Sequence, residues 1–451
     1  MMRPTLTEQA CSRLSEQLED HWMRNLLRWS AVLTGMLLVL AACTSTGSPS
    51  PSAAASAAAS SAAVDPTAIC AADAVGCVEV APGDPIKIAS ALSITGDTAF
   101  LGNDSNFGIQ VALDERGQLL GHDVQLVKED AGCGDAASGQ TAAQAIVADT
   151  SIVGVIGTTC SRTAVPAMPV LANAGLVMIS PSNTAPSLTN PDKPDFGGPF
   201  YFRTAYNDNV QGAAVAKFAC EQLHAKTAAT IHDGSPYTEQ LQQVFVDNFA
   251  EICNGETTDQ EAVTPDQRDF ASLLQSIATS NGGSAPEFFY YPIFTAAGAL
   301  ITQQARTTTG MEDTILAGAD GLFNPDFLAA AGDAAEGMYL SGPDLAFSGD
   351  FYESTFKPEY TSVSGEPEPI SVFHAHAYDA ANMIMDAIES VAIEEGGSLF
   401  IPRTALRDAF FATSGYEGIT GTLTCNEDGD CADAKISVSQ VQDGAYVRIW
   451  P

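Results

Sequence analysis

The stretch "IVGVIGTTCSRTAVPAMPVLANAGLVMISPS", Ile152 to Ser182, decides the fold. Ile152–Gly157 is an unbroken apolar run rich in β-branched residues, the composition of a strand buried on both faces. It empties into Thr158, Thr159, Cys160, Ser161 and Arg162, a small polar loop. "VPAMPVLANAG" (Val165–Gly175) then carries helical periodicity and stops at a glycine. "LVMISPS" (Leu176–Ser182) is a second strand, and it too ends in small hydroxyl residues, "SPSNTAP". Two strands joined by a crossover helix pair in parallel. Open parallel sheets bind ligands beyond the carboxyl ends of their strands. Both polar loops are therefore expected at one crevice.

The same rhythm extends in both directions. Upstream, "IKIASALSI" and "DVQLVKED" read as strands, with the helices "NFGIQVALDERG" and "TAAQAIVAD" after them. The pattern restarts after "FYFRTAYND" (Phe200–Asp208). Helix "VQGAAVAKFACEQL", strand "TAATIHD", helix "TEQLQQVFVDNFAEI", helix "RDFASLLQSIATS", strand "EFFYYPI", helix "AGALITQQARTT" and strand "TILAGAD" follow. A late helix, "SVFHAHAYDAANMIMDAIESVA", precedes an ending that reads as two strands joined through turns. The fold class is α/β: two Rossmann-like lobes, each a parallel sheet flanked by helices.

Charge and termini narrow the setting. The chain of 451 residues holds 19 Lys+Arg against 55 Asp+Glu, a net charge of −36. Such a surface repels nucleic acid and anionic lipid headgroups, so neither is an expected partner. Near the start, Arg24 and Arg28 flank "AVLTGMLLVLAA" (Ala31–Ala42), an apolar run too short to span a bilayer. It ends in "LAAC", Leu40–Cys43, which resembles a bacterial lipobox, so Cys43 is the expected lipidation site. Residues 1–42 read as the signal region, with Met23 a possible true start because the segment before it is too acidic for a signal. From residue 43 to 84 the chain reads as a lipidated cysteine followed by a flexible Ser/Ala/Pro-rich tether.

Setting aside Cys11 and Cys43, eight cysteines remain: Cys70, Cys77, Cys133, Cys160, Cys220, Cys253, Cys425 and Cys431. An even number in an exported chain points to disulfides, and the spacing suggests sequential pairing, with Cys70/Cys77 and Cys425/Cys431 closing small loops. No CxxC-type cluster supports a zinc site, so no metal is expected. "GCGDAA" (Gly132–Ala137) formally fits a nucleotide fingerprint, but Glu129 and Asp130 beside it would repel a pyrophosphate, and no cofactor is expected. Ser161 as a nucleophile would need a base, and no loop supplies a histidine. His374 and His376 lie in the apolar late helix, where packing explains them. "NEDGD" (Asn426–Asp430) lacks the length and distal glutamate of a calcium loop. The polar loops fit a ligand cradle instead, with hydroxyls and loop N–H groups around a carboxylate.

"EDAGCGDAASGQTAAQAIVADTSIVGVIGTTCSRTAVPAMPVLANAGLVMISPSNTAPSLT" resembles the leucine/isoleucine/valine-binding proteins of ABC uptake systems, which have the type I periplasmic binding protein fold. The likeness continues through "AATIHDGSPYTEQ", "QRDFASLLQSI", "FFYYPIFTAAGALITQQAR" and "GADGLFNPDFL". It implies a disulfide between Cys133 and Cys160 that braces the loop carrying Ser161. It also implies that Ser161, Ser182 and Thr184 contact a ligand's α-carboxylate and α-amino group. Tyr237 would close from the other lobe, and Asp320 stands where the family pairs a glutamate with the ammonium. Phe294 replaces a family tyrosine, and Leu101 falls where an aromatic lines the side-chain pocket.

The resulting expectation is an exported lipoprotein, anchored to the outer face of the cytoplasmic membrane, monomeric and not an enzyme. It captures a small, branched-chain-like amino acid for an ABC permease. The chain would cross between lobes near Thr204, Pro343 and Leu423, a three-stranded hinge. That assigns 85–204 and 343–423 to lobe 1, and 205–342 and 424–451 to lobe 2, with Cys220–Cys253 bridged within the latter. A sensor module or a binder of amides, urea or aromatic acids would share the fold. An exported serine hydrolase would need the base that Ser161 lacks.

Overall fold

The computed structural model describes residues 65–451. The signal region with Met23, the lipidation site Cys43 and the first part of the tether lie outside the described residues.

The run Ile152–Gly157 occupies the middle of a six-stranded sheet. From edge to edge the sheet comprises Gln118–Leu119, His122–Asp130, Ile86–Leu92, Ile152–Gly157, Met178–Ser180 and Tyr201–Arg203. All pairings are parallel except that of the first, two-residue strand. Burial on both faces explains the apolar run. Ile88 and Ile156 face the helices Ala99–Arg116 and His374–Val391, whereas Ala89 and Val155 face Ala136–Ala148 and Ser161–Asn173. Gly154 lets the late helix close in, since a Cβ there would meet Ile384 Cδ1 at 2.5 Å.

The second lobe is a seven-stranded sheet ordered Ala445–Trp450, Ile436–Gln442, Tyr339–Pro343, Ile315–Gly318, Phe288–Tyr290, Thr227–His232 and Glu256–Ala262. Its last two strands in sequence form an antiparallel hairpin along one edge. Between the lobes the chain crosses three times, and the crossings are hydrogen-bonded side by side. Arg203 pairs with Asp430 in a parallel bridge, and the Asp344 amide donates to the Lys435 carbonyl at 2.9 Å.

Four disulfides join Cys70–Cys77, Cys133–Cys160, Cys220–Cys253 and Cys425–Cys431. Two boundaries differ from the sequence expectation. Residues 65–84 are not tether. Asp65 caps the helix Pro66–Ala72 by accepting from the Thr67 and Ala68 amides, and Cys77–Val80 pairs antiparallel with Ser398–Pro402. Val78 and Val80 enter the first-lobe core, so this segment has apolar burial to offset its ordering entropy. The third crossing follows Cys431 rather than Leu423, because Cys425 and Cys431 pack with Phe202 in the first lobe. Among the described residues, no helix is long and apolar enough to cross a membrane.

Candidate functional site

The loop after Ile152–Gly157 is shaped by saturation of its polar groups. Cys160 is extended (φ −107°, ψ 138°) and starts the helix Ser161–Asn173 four residues earlier than its periodicity suggested. Ser180 Oγ donates to the Thr158 carbonyl at 2.9 Å, and Asn183 Nδ2 donates to the same oxygen at 2.8 Å. Ser182 Oγ donates to the Thr159 carbonyl at 3.0 Å, while Thr159 Oγ1 accepts from the Ser93 amide at 2.8 Å. Ser161 Oγ accepts from the Ala185 amide at 3.3 Å, which leaves its own O–H free to donate. The two polar loops are thus one hydrogen-bonded body, braced from outside by Cys133–Cys160.

Across from it stands Asp320, at the head of a short turn (Asp320–Leu322) that follows the strand Ile315–Gly318. Its Oδ1 accepts from Gln211 Nε2 at 2.8 Å and from the Tyr237 hydroxyl at 3.0 Å. Gln211 Nε2 also reaches Ser341 Oγ at 3.0 Å, tying the carboxylate to the next strand. Burial pushes the Asp320 carboxyl up, and the Gln211 and Tyr237 donors pull it back. Tyr237 is the second residue of Pro236–Cys253, and its ring lies 5.5 Å from that of Phe294.

These walls enclose a recess of about 20 Å³. Of the residues singled out from sequence, Ser161, Ser182, Tyr237, Asp320, Phe294 and Leu101 line it together. Thr184 does not; it is buried behind the loop, where its carbonyl accepts the Asp208 amide at 2.9 Å. Thr159, Cys160, Gly321 and Phe373 also line the recess. Gly321 is required there, because a Cβ would stand 2.8 Å from the Ile293 carbonyl oxygen. The recess shares Cys160, Ser161, Tyr237 and Phe294 with a larger cleft of about 530 Å³ between the lobes. Two contacts tie the lobes beside it: Gln240 with Ser187, and Arg162 Nη2 with Asp233 Oδ1 at 3.9 Å.

No histidine lines either cavity. His374 is buried with its ring nitrogens near Tyr352 Oη at 2.7 Å and Asp104 Oδ2 at 3.3 Å. His376 is buried and neutral, its pKa pushed down to about 3 by burial. The arrangement holds donors on one side, a carboxylate on the other and apolar rings at the margin. Its charges match those of a small zwitterion, but the recess itself has room for about one water, so such a ligand would also occupy the adjoining cleft. Among the described residues that line it, nothing activates the Ser161 hydroxyl.

Sequence reasoning passed over Asp208 and Gln211. Both are buried at the start of the helix Asp208–Glu221, beneath the recess. Their signal was "YNDNVQG" (Tyr206–Gly212), an Asn and an Asp before an apolar run, which reads as ordinary helix capping.

Comparison with known proteins agrees with this fold. A family model described as "Periplasmic binding protein" matches residues 85–445. The chain is similar to Leu/Ile/Val-binding protein homolog 3 of Brucella melitensis, 27% identical over 369 residues, covering 81% of this chain and 93% of the relative. It is also similar to the leucine-, isoleucine-, valine-, threonine- and alanine-binding protein of Pseudomonas aeruginosa, 28% identical over 358 residues, covering 79% and 89%. Among solved structures, a leucine-binding protein from Thermotoga maritima superposes with a TM-score of 0.70 at 26% identity, covering 81% of this chain and 97% of the other.

Proposed function

Since the chain belongs to the periplasmic binding protein family, a family of extracytoplasmic solute-binding proteins, we propose that its solute is a small α-amino acid with an apolar side chain. One observation carries the reading: the Ser161 hydroxyl of the first lobe, free to donate, faces the Asp320 carboxylate of the second across a recess edged by Leu101, Phe294 and Phe373. A zwitterion satisfies both walls at once. A plain carboxylic acid would leave Asp320 buried without a cation, which is costly. Ligand bridging both lobes favours the closed state, and closure is what an ABC permease would recognise. No bond is made or broken.

The export signal and "LAAC" support an anchor at Cys43. A Cys43→Ser chain is expected in the medium rather than on the membrane, and its retention at high salt would reject the anchor.

Calorimetry across leucine, isoleucine, valine, alanine, acetamide, urea and benzoate tests the ligand class. An α-amino acid is expected to bind at about 1 μM, roughly −8 kcal/mol. Tighter binding of an amide, urea or benzoate than of every amino acid would overturn the reading.

A further inference from the structure

Beneath the recess lies a carboxyl group that nothing so far has used. Asp208 is fully buried, and neither Oδ1 nor Oδ2 has a hydrogen-bond partner. It does not cap its own helix, since Asn207 does so by accepting from the Asn209 amide at 3.0 Å. The hydroxyls of Tyr206 and Tyr290 and the Gln211 Oε1 atom are likewise buried without partners.

Groups from both lobes bear on the charge of Asp208. From the first lobe come the Thr184 hydroxyl and Arg203, both of which favour the anion. Arg203 is already committed to Asp430. From the second lobe comes Asp320, whose charge opposes a second anion. Tyr206, Tyr237 and Tyr290 share the enclosure and feel both carboxylates. His376 packs on Tyr206, its ring centroid 6.4 Å away, and is neutral.

Two carboxyls in one enclosure do not both ionise without a cation between them. Their surroundings decide which holds the charge. Asp320 accepts from Gln211 and Tyr237, so the anion is accommodated there. Around Asp208 the Thr184 hydroxyl favours the anion, but neither carboxylate oxygen completes a hydrogen bond with it, and an ionised carboxylate so poorly held is costly in a dry interior. Burial, followed by the charge of Asp320, accordingly holds the Asp208 carboxyl well above the usual carboxylate range.

We propose that Asp208 is protonated in the unliganded protein and releases its proton when a ligand ammonium enters the recess, so that capture exchanges a proton for an ammonium group. The inference rests on the amino-acid reading above and adds to it a residue and a linked equilibrium. The step balances simply. The Asp208 O–H bond breaks, its electron pair stays on the carboxylate, and the proton passes to the buffer. The ligand enters as a zwitterion with its ammonium intact. The positive charge relieves the repulsion from Asp320, and two phenol hydroxyls without partners share the enclosure with the new anion. Because binding releases a proton, the association constant rises with pH up to the pKa of unliganded Asp208 and levels off above it.

Calorimetric titration of the full chain with L-leucine, in phosphate and in Tris at neutral pH, measures the protons exchanged from the difference in buffer heat. The wild type is expected to release about one proton per leucine bound, with the association constant rising by up to ten-fold per pH unit below its plateau. Asp208→Asn is expected to bind leucine with no buffer-dependent heat and a flat pH profile. Should that variant fail to fold, the wild-type pH profile alone decides. Leucine binding to the wild type without proton release and with constant affinity from acid to alkaline pH would overturn the exchange and leave the amino-acid reading standing. Undiminished proton release in Asp208→Asn would also overturn it, by assigning the proton elsewhere. If no α-amino acid binds, the amino-acid reading falls and the exchange falls with it.

Discussion

The two walls of the cleft solve opposite problems. On the first-lobe wall the polar groups are already satisfied: Thr158, Thr159, Ser180, Ser182 and Asn183 bond to one another and hold the loops rigid. On the second-lobe wall Asp208, Gln211, Tyr206 and Tyr290 keep buried polar atoms without partners, around an Asp320 that forms no salt bridge among the described residues. A saturated network contributes to stability and orientation, whereas an unsaturated one costs stability until something completes it. The first wall is built before ligand arrives, and the second is finished by it. Substitutions should separate accordingly, the first wall affecting folding and the second affecting binding.

The sharpest test of the first half is Arg203. It is fully buried, paired with Asp430, and donates to the Asn183 carbonyl at 3.1 Å, the Ala185 carbonyl at 2.9 Å and Thr189 Oγ1 at 2.7 Å. It thereby joins the ligand loop to the disulfide loop Cys425–Cys431. Arg203→Ala leaves two buried carbonyls without that donor and Asp430 without its cation, although Thr189 and Asn207 still donate to the carboxylate, so unfolding should become easier by about 3–5 kcal/mol. Denaturant titration measures it, and a loss below about 1 kcal/mol would break the contrast.

Asp320→Asn tests the other half. Removing a buried charge from an unfinished wall should leave the unliganded protein as stable as before, or slightly more so, because the charge costs desolvation. Amino-acid binding should weaken by about 2–5 kcal/mol, the cost of truncating a buried charged partner. Calorimetry and thermal unfolding on the same sample separate the two effects. Loss of stability with binding unchanged would reverse the roles given to the walls.

The contrast also explains what could be read from the chain. Strands such as Ile152–Gly157 are buried on both faces and declare themselves as apolar runs, and the loops behind them are located by parallel-sheet geometry alone. That logic brought Ser161 and Ser182 to the recess, and the family likeness added Tyr237 and Asp320. The edge strand Glu256–Ala262, "ETTDQEA", went unseen because no residue in it is fully buried and so it carries no apolar signal. The segment before residue 84 was misread because an Ala/Ser-rich composition ran on into "PTAICAADAVGCVEV", where the alternation of Val78 and Val80 is only two residues deep. Asp208 was missed for a different reason. Its role depends on having no partner, and only the folded environment reveals that.

The smallest expected effect probes where the two walls meet. Ser187, in the first-lobe turn Pro186–Thr189, donates its amide to Gln240 Oε1 at 2.9 Å, and its hydroxyl accepts from Gln240 Nε2 at 2.8 Å. Gln240 belongs to the second-lobe helix Pro236–Cys253, so this reciprocal pair exists only while the lobes are together. Gln240 is half-buried and Ser187 is buried, and water replaces the bonds when the lobes part, so each lobe folds equally well without them. Gln240→Ala should therefore leave unliganded thermal stability within about 0.5 kcal/mol. It should still lower ligand affinity by about 1 kcal/mol, roughly five-fold, because the closed state that ligand selects has lost a net hydrogen-bond contribution. Small-angle scattering without ligand should show a more open average shape than in the wild type. If affinity and shape are both unchanged, the pair lies on the hinge side and persists through opening. The walls would then meet only through the ligand and the Arg162–Asp233 contact.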